Sequence, residues 1–358
     1  YMVITAKHHD GFCLWDSRYT DYDVSSTPFK RDIIKEVIDA FRAEGIRIGI
    51  YYSLIDWHHP EYTTDHKHPL RNNKEYVEKD QLRNMQVYRE YMKNQITELL
   101  TEYGKIDLLW LDFSFPAQQG YAGKGRDDWN SLELLKLVKQ LQPQIIINDR
   151  LDLMDVEGGW DFRTPEQFMP SEPVSYNGEF VPWETCQTLS ERWTYVTEKH
   201  AEWKSERQLL EMLIGTVSKN GNLILNAGPN GRGEIDSKSQ KLLGSIGDWM
   251  HLHSRSIYNC GIAPEYIIPP NGAFLTYNEK LHRLYIHLVK YPYKELEVSG
   301  LAGKVMYAQL LNDASEVKIK SEKGAWMDNA SEDNISVTFQ LPIQKPDVEI
   351  PVIEIFLK

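Results

Sequence analysis

Cysteine is scarce. Cys13, Cys186 and Cys260 are the only 3 in 358 residues, odd in number and far apart, which excludes a disulfide framework and a zinc ribbon and leaves buried or idle thiols. No window of about 18 residues is free of charge or strong polarity, so no membrane-spanning helix is expected. The opening stretch YMVITAKHHD has no basic leader, no apolar stretch and no small-residue cleavage site, so nothing in it addresses the chain to a compartment. Positive charge is also short: Lys and Arg number 40 against 52 Asp and Glu, a net charge of -12 with no basic run. Nucleic-acid binding needs a cationic footprint and is not expected. Internal repeats and low-complexity segments are absent as well.

What is present is ordinary globular composition, 41% hydrophobic and 26% charged, with enough length for one α/β barrel of about 250 residues and a companion of about 100. Up to about residue 254 short apolar runs alternate with amphipathic helices, the pattern of βα units and a parallel sheet. Strands are expected at 2–6, 46–53, 106–112, 145–148 and 222–226. Helices are expected at about 33–45, where Ile33, Ile34, Val37, Ile38 and Phe41 share a face, and at 75–103, 129–142, 206–217 and 237–254. From about residue 262 the texture changes to short alternating strands, FLTY, RLYIHL, VKIK, ISVTF and VIEIFL, which indicates an antiparallel β-sandwich. The expected domains are therefore 1–258, an irregular (β/α)8-like catalytic barrel, and 262–358, a C-terminal β-sandwich. The first part shows fewer strands than the eight a closed barrel needs, so one or more strands upstream of Tyr1 are expected to complete it.

In a parallel barrel the chemistry sits at the C-terminal strand ends. Those ends carry Lys7, His8, His9 and Asp10, then Tyr51, Tyr52 and Ser53, then Trp110 and Asp112, then Asn148, Asp149 and Arg150. Trp110 and Asp112 share a strand face, whereas His8 and His9 oppose each other unless the strand breaks, which Gly11 permits. Asp112 is the sharpest signal, because a carboxylate closing the apolar run 108–111 must be buried with a partner or used. No His-x-His lies on a strand, and His58, His59, His66 and His68 crowd one loop, so no metal site is expected. Aromatic residues such as Trp15, Trp57, Trp110, Trp160, Trp183 and Trp193 lie in or near the loops. Paired histidines, isolated carboxylates and aromatic walls suit a pyranose, whose apolar face stacks while its hydroxyls take directional hydrogen bonds. Retaining glycoside hydrolysis needs a second carboxyl group, for which Asp152, Asp155, Glu157, Asp161, Glu166, Glu172, Glu179 and Glu184 all qualify by type.

The blocks TAKHHDGFCLWDS (5–17), GIYYSLIDWHHPEY (49–62), LLWLDFSFP (108–116), INDR (147–150), DFRTPEQ (161–167), PWETCQTL (182–189) and SKNGNLILNAGPNGRGEI (218–235) resemble, in order, the successive motifs of the α-L-fucosidases of glycoside hydrolase family 29. The resemblance covers about residues 1–258. It implies a retaining exo-hydrolase that removes terminal α-L-fucosyl residues from glycans, on an irregular barrel followed by a β-sandwich, without metal or cofactor. Its partner would be a fucosylated oligosaccharide or glycoconjugate.

By the same resemblance Asp112 matches the nucleophile and Glu166 the acid/base, with Glu184 in reserve. His8 and His9 match the pair that binds the sugar hydroxyls, and Trp110 and Arg150 match residues flanking the nucleophile. Trp193 falls where an aromatic packs on the sugar methyl. Trp15 and, of the two adjacent tyrosines, Tyr52 are also expected at the substrate. Two features depart from the family pattern: its upstream motifs have no counterpart, and its usual glycine after the strand-end Asp is Phe113 here, which is expected to reshape the adjacent subsite. A non-catalytic glycan-binding protein and a metal-dependent barrel hydrolase are the alternative readings.

Overall fold

A computed structural model describes residues 1–116, 122–320 and 336–358. The chain divides into two compact units, Tyr1–Thr164 and Pro165–Lys358.

In the first unit β1 (Met2–Lys7), β2 (Ile48–Ser53), β3 (Leu108–Asp112) and β4 (Ile146–Ile147) form a 4-stranded sheet in that order, every neighbouring pair parallel. Parallel neighbours require crossovers, and helices supply them: α1 (Ile33–Ala43), α2 (Lys74–Glu78), α3 (Met85–Glu102), α4 (Arg126–Trp129) and α5 (Ser131–Leu141). The Asp32 side chain caps α1 by accepting from the Lys35 amide. The helix closes through Gly45, at φ +73°, whose amide donates to the Arg42 carbonyl while Ile46 N–H reaches back to Phe41. Glycine suits that left-handed closure. Ile34 and Ile38 of α1 are buried, but Phe41, expected on the same face, stays 37% exposed.

The continuous helix expected over 75–103 is broken. After α2 and a 3-10 turn, Lys79–Leu82, Arg83 is extended and the Asn84 side chain accepts from the Gln86 amide to start α3 afresh. Asn130, left-handed at φ +52°, likewise separates α4 from α5 within the expected helix 129–142. Ile50, Leu109, Leu111 and Ile147 from the sheet pack with Ile38, Leu99 and Val138 from the helices in one apolar core. The sheet register sets Ser53 opposite Asp112, so the polar strand ends line up above that core.

The second unit opens with a small hairpin, β5 (Ser175–Tyr176) and β6 (Glu179–Phe180), followed by β7 (Trp183–Thr188), α6 (Glu206–Val217), β8 (Gly221–Asn226) and α7 (Ser237–His253). Ser205 and Gln208 cap α6 reciprocally, and Asp236 caps α7. β7 pairs in parallel with β8. Then come β9 (Ala273–Asn278), β10 (Arg283–Leu288), β11 (Glu295–Val298), β12 (Val305–Leu310), β13 (Lys318–Lys320), β14 (Val337–Gln340) and β15 (Val352–Leu357). They make two sheets, β12-β15-β10-β9 and β11-β14-β13, antiparallel throughout. Alternate residues of both, among them Leu284, Ile286, Leu296, Val298, Phe339 and Ile355, share one core. Ile335, the expected start of one strand, lies outside the described residues.

Leu210, Ile214 and Trp249 from α6 and α7 belong to a cluster with Tyr285 and Val352, and Trp249 Nε1 donates to the Ile350 carbonyl at 2.9 Å. These helices thus share apolar burial with the antiparallel strands. The boundary between compact units falls at Thr164 and Pro165, while the last parallel pair is β7–β8 and every pairing from β9 onward is antiparallel.

Candidate active site

The register of β1 shifts between Thr5 and Lys7, an irregularity of the kind that re-aims side chains. Lys7 is driven inward. It is fully buried, its Nζ 2.9 Å from Asp56 Oδ2 and 4.5 Å from the Tyr52 ring centre. Burial, the largest influence, disfavours the ammonium, but Asp56 and the neighbouring tyrosines outweigh it and hold the Lys7 pKa above the usual lysine value. Asp56 is held below the usual carboxylate range: burial works against its charge, and Lys7 with the His58 and His59 amides overcomes that. The chain then breaks at Gly11, at φ +80°, where a Cβ would sit 2.3 Å from Asp56 Oδ1.

That break brings His8 and His9 together, ring centroids 4.1 Å apart. His8 stacks on Tyr51 at 5.4 Å, and Tyr51 stacks on Trp110 at 5.5 Å. Tyr51 Oη donates to Asp112 Oδ2 at 2.6 Å, and Arg150 Nη1 donates to Asp112 Oδ1 at 3.2 Å. Arg150 is aimed by Thr164: its Nε donates to Thr164 Oγ1 at 2.8 Å, its Nη2 to the Thr164 carbonyl at 3.0 Å, and its guanidinium lies 5.1 Å from the Trp110 ring centre. Asp149 in turn accepts from the Thr164 hydroxyl at 2.6 Å.

The tautomer of His9 follows from the same accounting. Ser53 Oγ has one proton and gives it to the Ile55 carbonyl at 2.8 Å, so the 2.6 Å contact between Ser53 Oγ and His9 Nδ1 has the imidazole N–H as donor. His9 Nε2 is left with a lone pair, 3.8 Å from Asp112 Oδ2. Burial, then the charges of His8 and Lys7, push the His9 pKa down to about 3, so this approach is not an ion pair at neutral pH. A neutral acceptor beside a carboxylate, rimmed by aromatic faces, suits a substrate hydroxyl as donor. Trp57, whose ring lies 5.3 Å from His9, adds a buried Nε1 with no hydrogen-bond partner.

His8, His9, Trp110, Asp112 and Arg150 are thus brought together as expected. Tyr52 is not with them: it is fully buried on the opposite strand face, its Oη donating to Gln95 Oε1 at 2.8 Å. The tyrosine that meets Asp112 is Tyr51, because β2 sets Tyr51 opposite Trp110 and Ser53 opposite Asp112. Trp15 is also displaced, into the core, where its Nε1 donates to Glu98 of α3 at 2.8 Å. Ser53, legible only as a strand-end residue, and Thr164 act as positioning groups. Their contacts cross 44 and 14 residues, and no local pattern marks them.

Glu166, Glu184 and Trp193 lie in the second unit. Glu166 is half-buried and bridges in parallel to Cys186 of β7, Glu184 is buried within β7, and Trp193 is 39% exposed, its carbonyl accepting from Asn226 Nδ2 at 2.8 Å. Among the described residues no group of three or more His, Cys, Asp and Glu is arranged to hold a metal ion.

The sequence pattern of the α-L-fucosidase family matches residues 1–255. A putative α-L-fucosidase of Caenorhabditis elegans is 30% identical over 275 residues, 72% of this chain and 49% of its own. The tissue α-L-fucosidase of Rattus norvegicus is 29% identical over 266 residues, 72% of this chain and 52% of its own. The chain therefore spans about half the length of the curated relatives it matches. Among solved structures, α-L-fucosidase isoenzyme 1 from Paenibacillus thiaminolyticus superposes with a TM-score of 0.82 at 40% identity, covering 100% of this chain and 83% of the other. A family 29 α-L-fucosidase from Bacteroides thetaiotaomicron, captured as a trapped covalent intermediate, gives 0.77 at 27% identity, covering 100% and 78%.

Proposed function

The chain belongs to the α-L-fucosidase family, glycoside hydrolase family 29, and from that premise we propose that it removes terminal α-L-fucosyl residues from glycans by a retaining route. The observation that carries the proposal is the setting of Asp112: a carboxylate at a parallel-strand end, tethered by Tyr51 and Arg150 and faced by a histidine that offers an acceptor. A nucleophile must be held in one orientation, and neighbours that accept sugar hydroxyls must stand beside it.

In the proposed reaction an Asp112 oxygen forms a bond to the anomeric carbon as the bond to the leaving oxygen breaks, and Glu166 gives that oxygen its proton. Glu166 then takes a proton from water, which attacks the anomeric carbon and frees Asp112. His8 and His9 hold sugar hydroxyls, Trp110 and Arg150 shape the pocket around Asp112, and Trp193 packs on the sugar methyl. Supporting the retaining route, a relative of the same fold has been trapped as a covalent intermediate. The same reading takes 1–258 as the (β/α)8-like catalytic part and 262–358 as the sandwich. In its favour, the β1–β4 strands and the β7–β8 pair run parallel, and β9 to β15 pair antiparallel.

The test is Asp112→Gly on an aryl α-L-fucoside. Activity should fall by about a thousandfold or more, and azide should restore part of it as a fucosyl azide, since a small anion can stand where the carboxylate was. Activity within tenfold of the parent would remove Asp112 as nucleophile. Glu166→Ala should cripple natural oligosaccharides far more than substrates with an activated leaving group, which need little protonation. If Glu184→Ala shows that dependence instead, the two glutamates exchange roles.

A further inference from the structure

Phe113, immediately after Asp112, has φ +81°, a backbone region that bulky side chains avoid. Holding a non-glycine residue there is strained, and such outliers persist only where their surroundings fix them. The surroundings here do. On one side the Asp112 carbonyl accepts from the Leu54 amide at 2.9 Å. On the other, Ser114 Oγ donates to the Arg150 carbonyl and accepts from Trp129 Nε1 at 2.9 Å, and Phe115 exchanges both backbone bonds with Lys124 at 2.7 Å. A turn of this shape is met by glycine without the penalty. The penalty therefore attaches to having any side chain at this position, and the side chain held there is an aromatic ring.

That ring joins the Asp112 pocket to the surface. It lies edge to face with His9 at 5.6 Å, it also meets Phe115 at 4.7 Å and His66 at 5.8 Å, and His66 meets Phe115 at 6.0 Å. Phe113 is buried while Phe115 is 37% exposed, so the three rings grade from the catalytic carboxylate outward. They are anchored on two separate loops. The His66 amide and ring both reach the Ala122 carbonyl, at 2.8 and 3.0 Å, and Lys124 Nζ donates to Thr63 Oγ1 at 2.7 Å.

We propose that Phe113, His66 and Phe115 form the wall that receives the leaving group, and that Phe113 makes the enzyme prefer aglycones with a ring face, carbohydrate or aryl, over small ones. The proposal rests on the fucosidase reading. A group attached at the anomeric carbon leaves the pocket on the side that runs to solvent, and rigid aromatic faces stack the C–H face of a pyranose or an aryl ring.

The test compares kcat/KM for 4-nitrophenyl α-L-fucoside, whose leaving group is a ring, with that for α-L-fucosyl fluoride, whose leaving group has none. Both leaving groups are activated, and kcat/KM reports the steps through departure of the leaving group, so their ratio isolates the wall. The nitrophenyl-to-fluoride ratio should fall about tenfold or more in Phe113→Gly, which keeps a residue suited to φ +81°. It should fall about threefold in Phe115→Ala, at a half-exposed position where folding is not at stake. A ratio within twofold of the parent in both variants overturns the proposal and leaves the fucosidase reading standing. A parent inactive on both substrates removes the fucosidase reading and this proposal with it.

Discussion

His9 in the first unit and His287 in the second are built alike and do different things. Each is pushed down to about 3, chiefly by burial and then by a neighbouring histidine, His8 for one and His253 for the other. Each gives its ring N–H to a hydroxyl that spends its own proton on a carbonyl. His9 gives to Ser53, which gives to Ile55; His287 gives to Thr276 at 2.9 Å, which gives to Ser256 at 2.7 Å. The contrast lies in the nitrogen left over. His9 Nε2 sits 3.8 Å from a carboxylate with its side chain still partly exposed, whereas His287 Nδ1 is buried without a partner. A strongly displaced pKa therefore does not mark a site by itself. A lone pair open to an incoming hydroxyl does.

The buried Lys7–Asp56 pair belongs to the first unit, and breaking it should give the largest effect on stability. Lys7→Met leaves Asp56 buried without its counter-charge, which should cost about 3 to 5 kcal/mol, read as a lower midpoint of urea unfolding. Lys7→Met with Asp56→Asn should recover part of that loss. A single variant within about 1 kcal/mol of the parent would show that the pair does not hold the loop at 56–59.

Next in size is the histidine pair itself. His9→Phe keeps a ring but removes the acceptor, and kcat/KM on an aryl fucoside should fall about 10- to 100-fold, within the cost of about 1 to 3 kcal/mol for leaving a buried hydroxyl donor unpaired. His287→Leu should leave kcat/KM unchanged and move stability by about 1 kcal/mol. Equal kinetic losses in the two variants would erase the distinction drawn from their spare nitrogens.

Much of the first unit was legible because its strand ends are both polar and abrupt: LLWLD stops on Asp112, INDR on Arg150, and Gly11 permits the break that unites His8 and His9. Register was not legible. Whether Tyr51 or Tyr52 meets Asp112 depends on which residue of β2 stands opposite Trp110, a fact about pairing rather than about either sequence. Trp15 went to the core because its partner, Glu98, lies 83 residues away. In the second unit β7 is legible as a motif block but not as a strand, because WETCQT is polar yet wholly buried and hydrophobic alternation does not mark it.

Acid should sharpen the comparison at a smaller scale. A histidine whose folded pKa lies near 3 takes up no proton in the native state between pH 6.5 and 3, while the unfolded chain does. Its contribution to stability is therefore complete above about pH 6.5 and is lost as pH falls, at about 1.4 kcal/mol per pH unit. Removing His287 should flatten the decline in unfolding free energy between pH 6 and 4 by about that slope. An unchanged slope would mean that the buried imidazole is reached by protons without unfolding.

The last comparison comes from two adjacent hydroxyls. Tyr51 Oη donates to Asp112 and Tyr52 Oη to Gln95, on opposite faces of one strand. Tyr51→Phe removes a donor from Asp112 and nothing from the core, so kcat/KM should fall about tenfold while unfolding stays within about 0.5 kcal/mol of the parent. Tyr52→Phe removes a donor from a fully buried amide and nothing from the pocket, so it should cost about 1 to 3 kcal/mol of stability with kcat/KM unchanged. If the two variants trade these signatures, β2 is set one residue out of the register that places Ser53 opposite Asp112. The assignment of the pocket face of the sheet would then reverse with it.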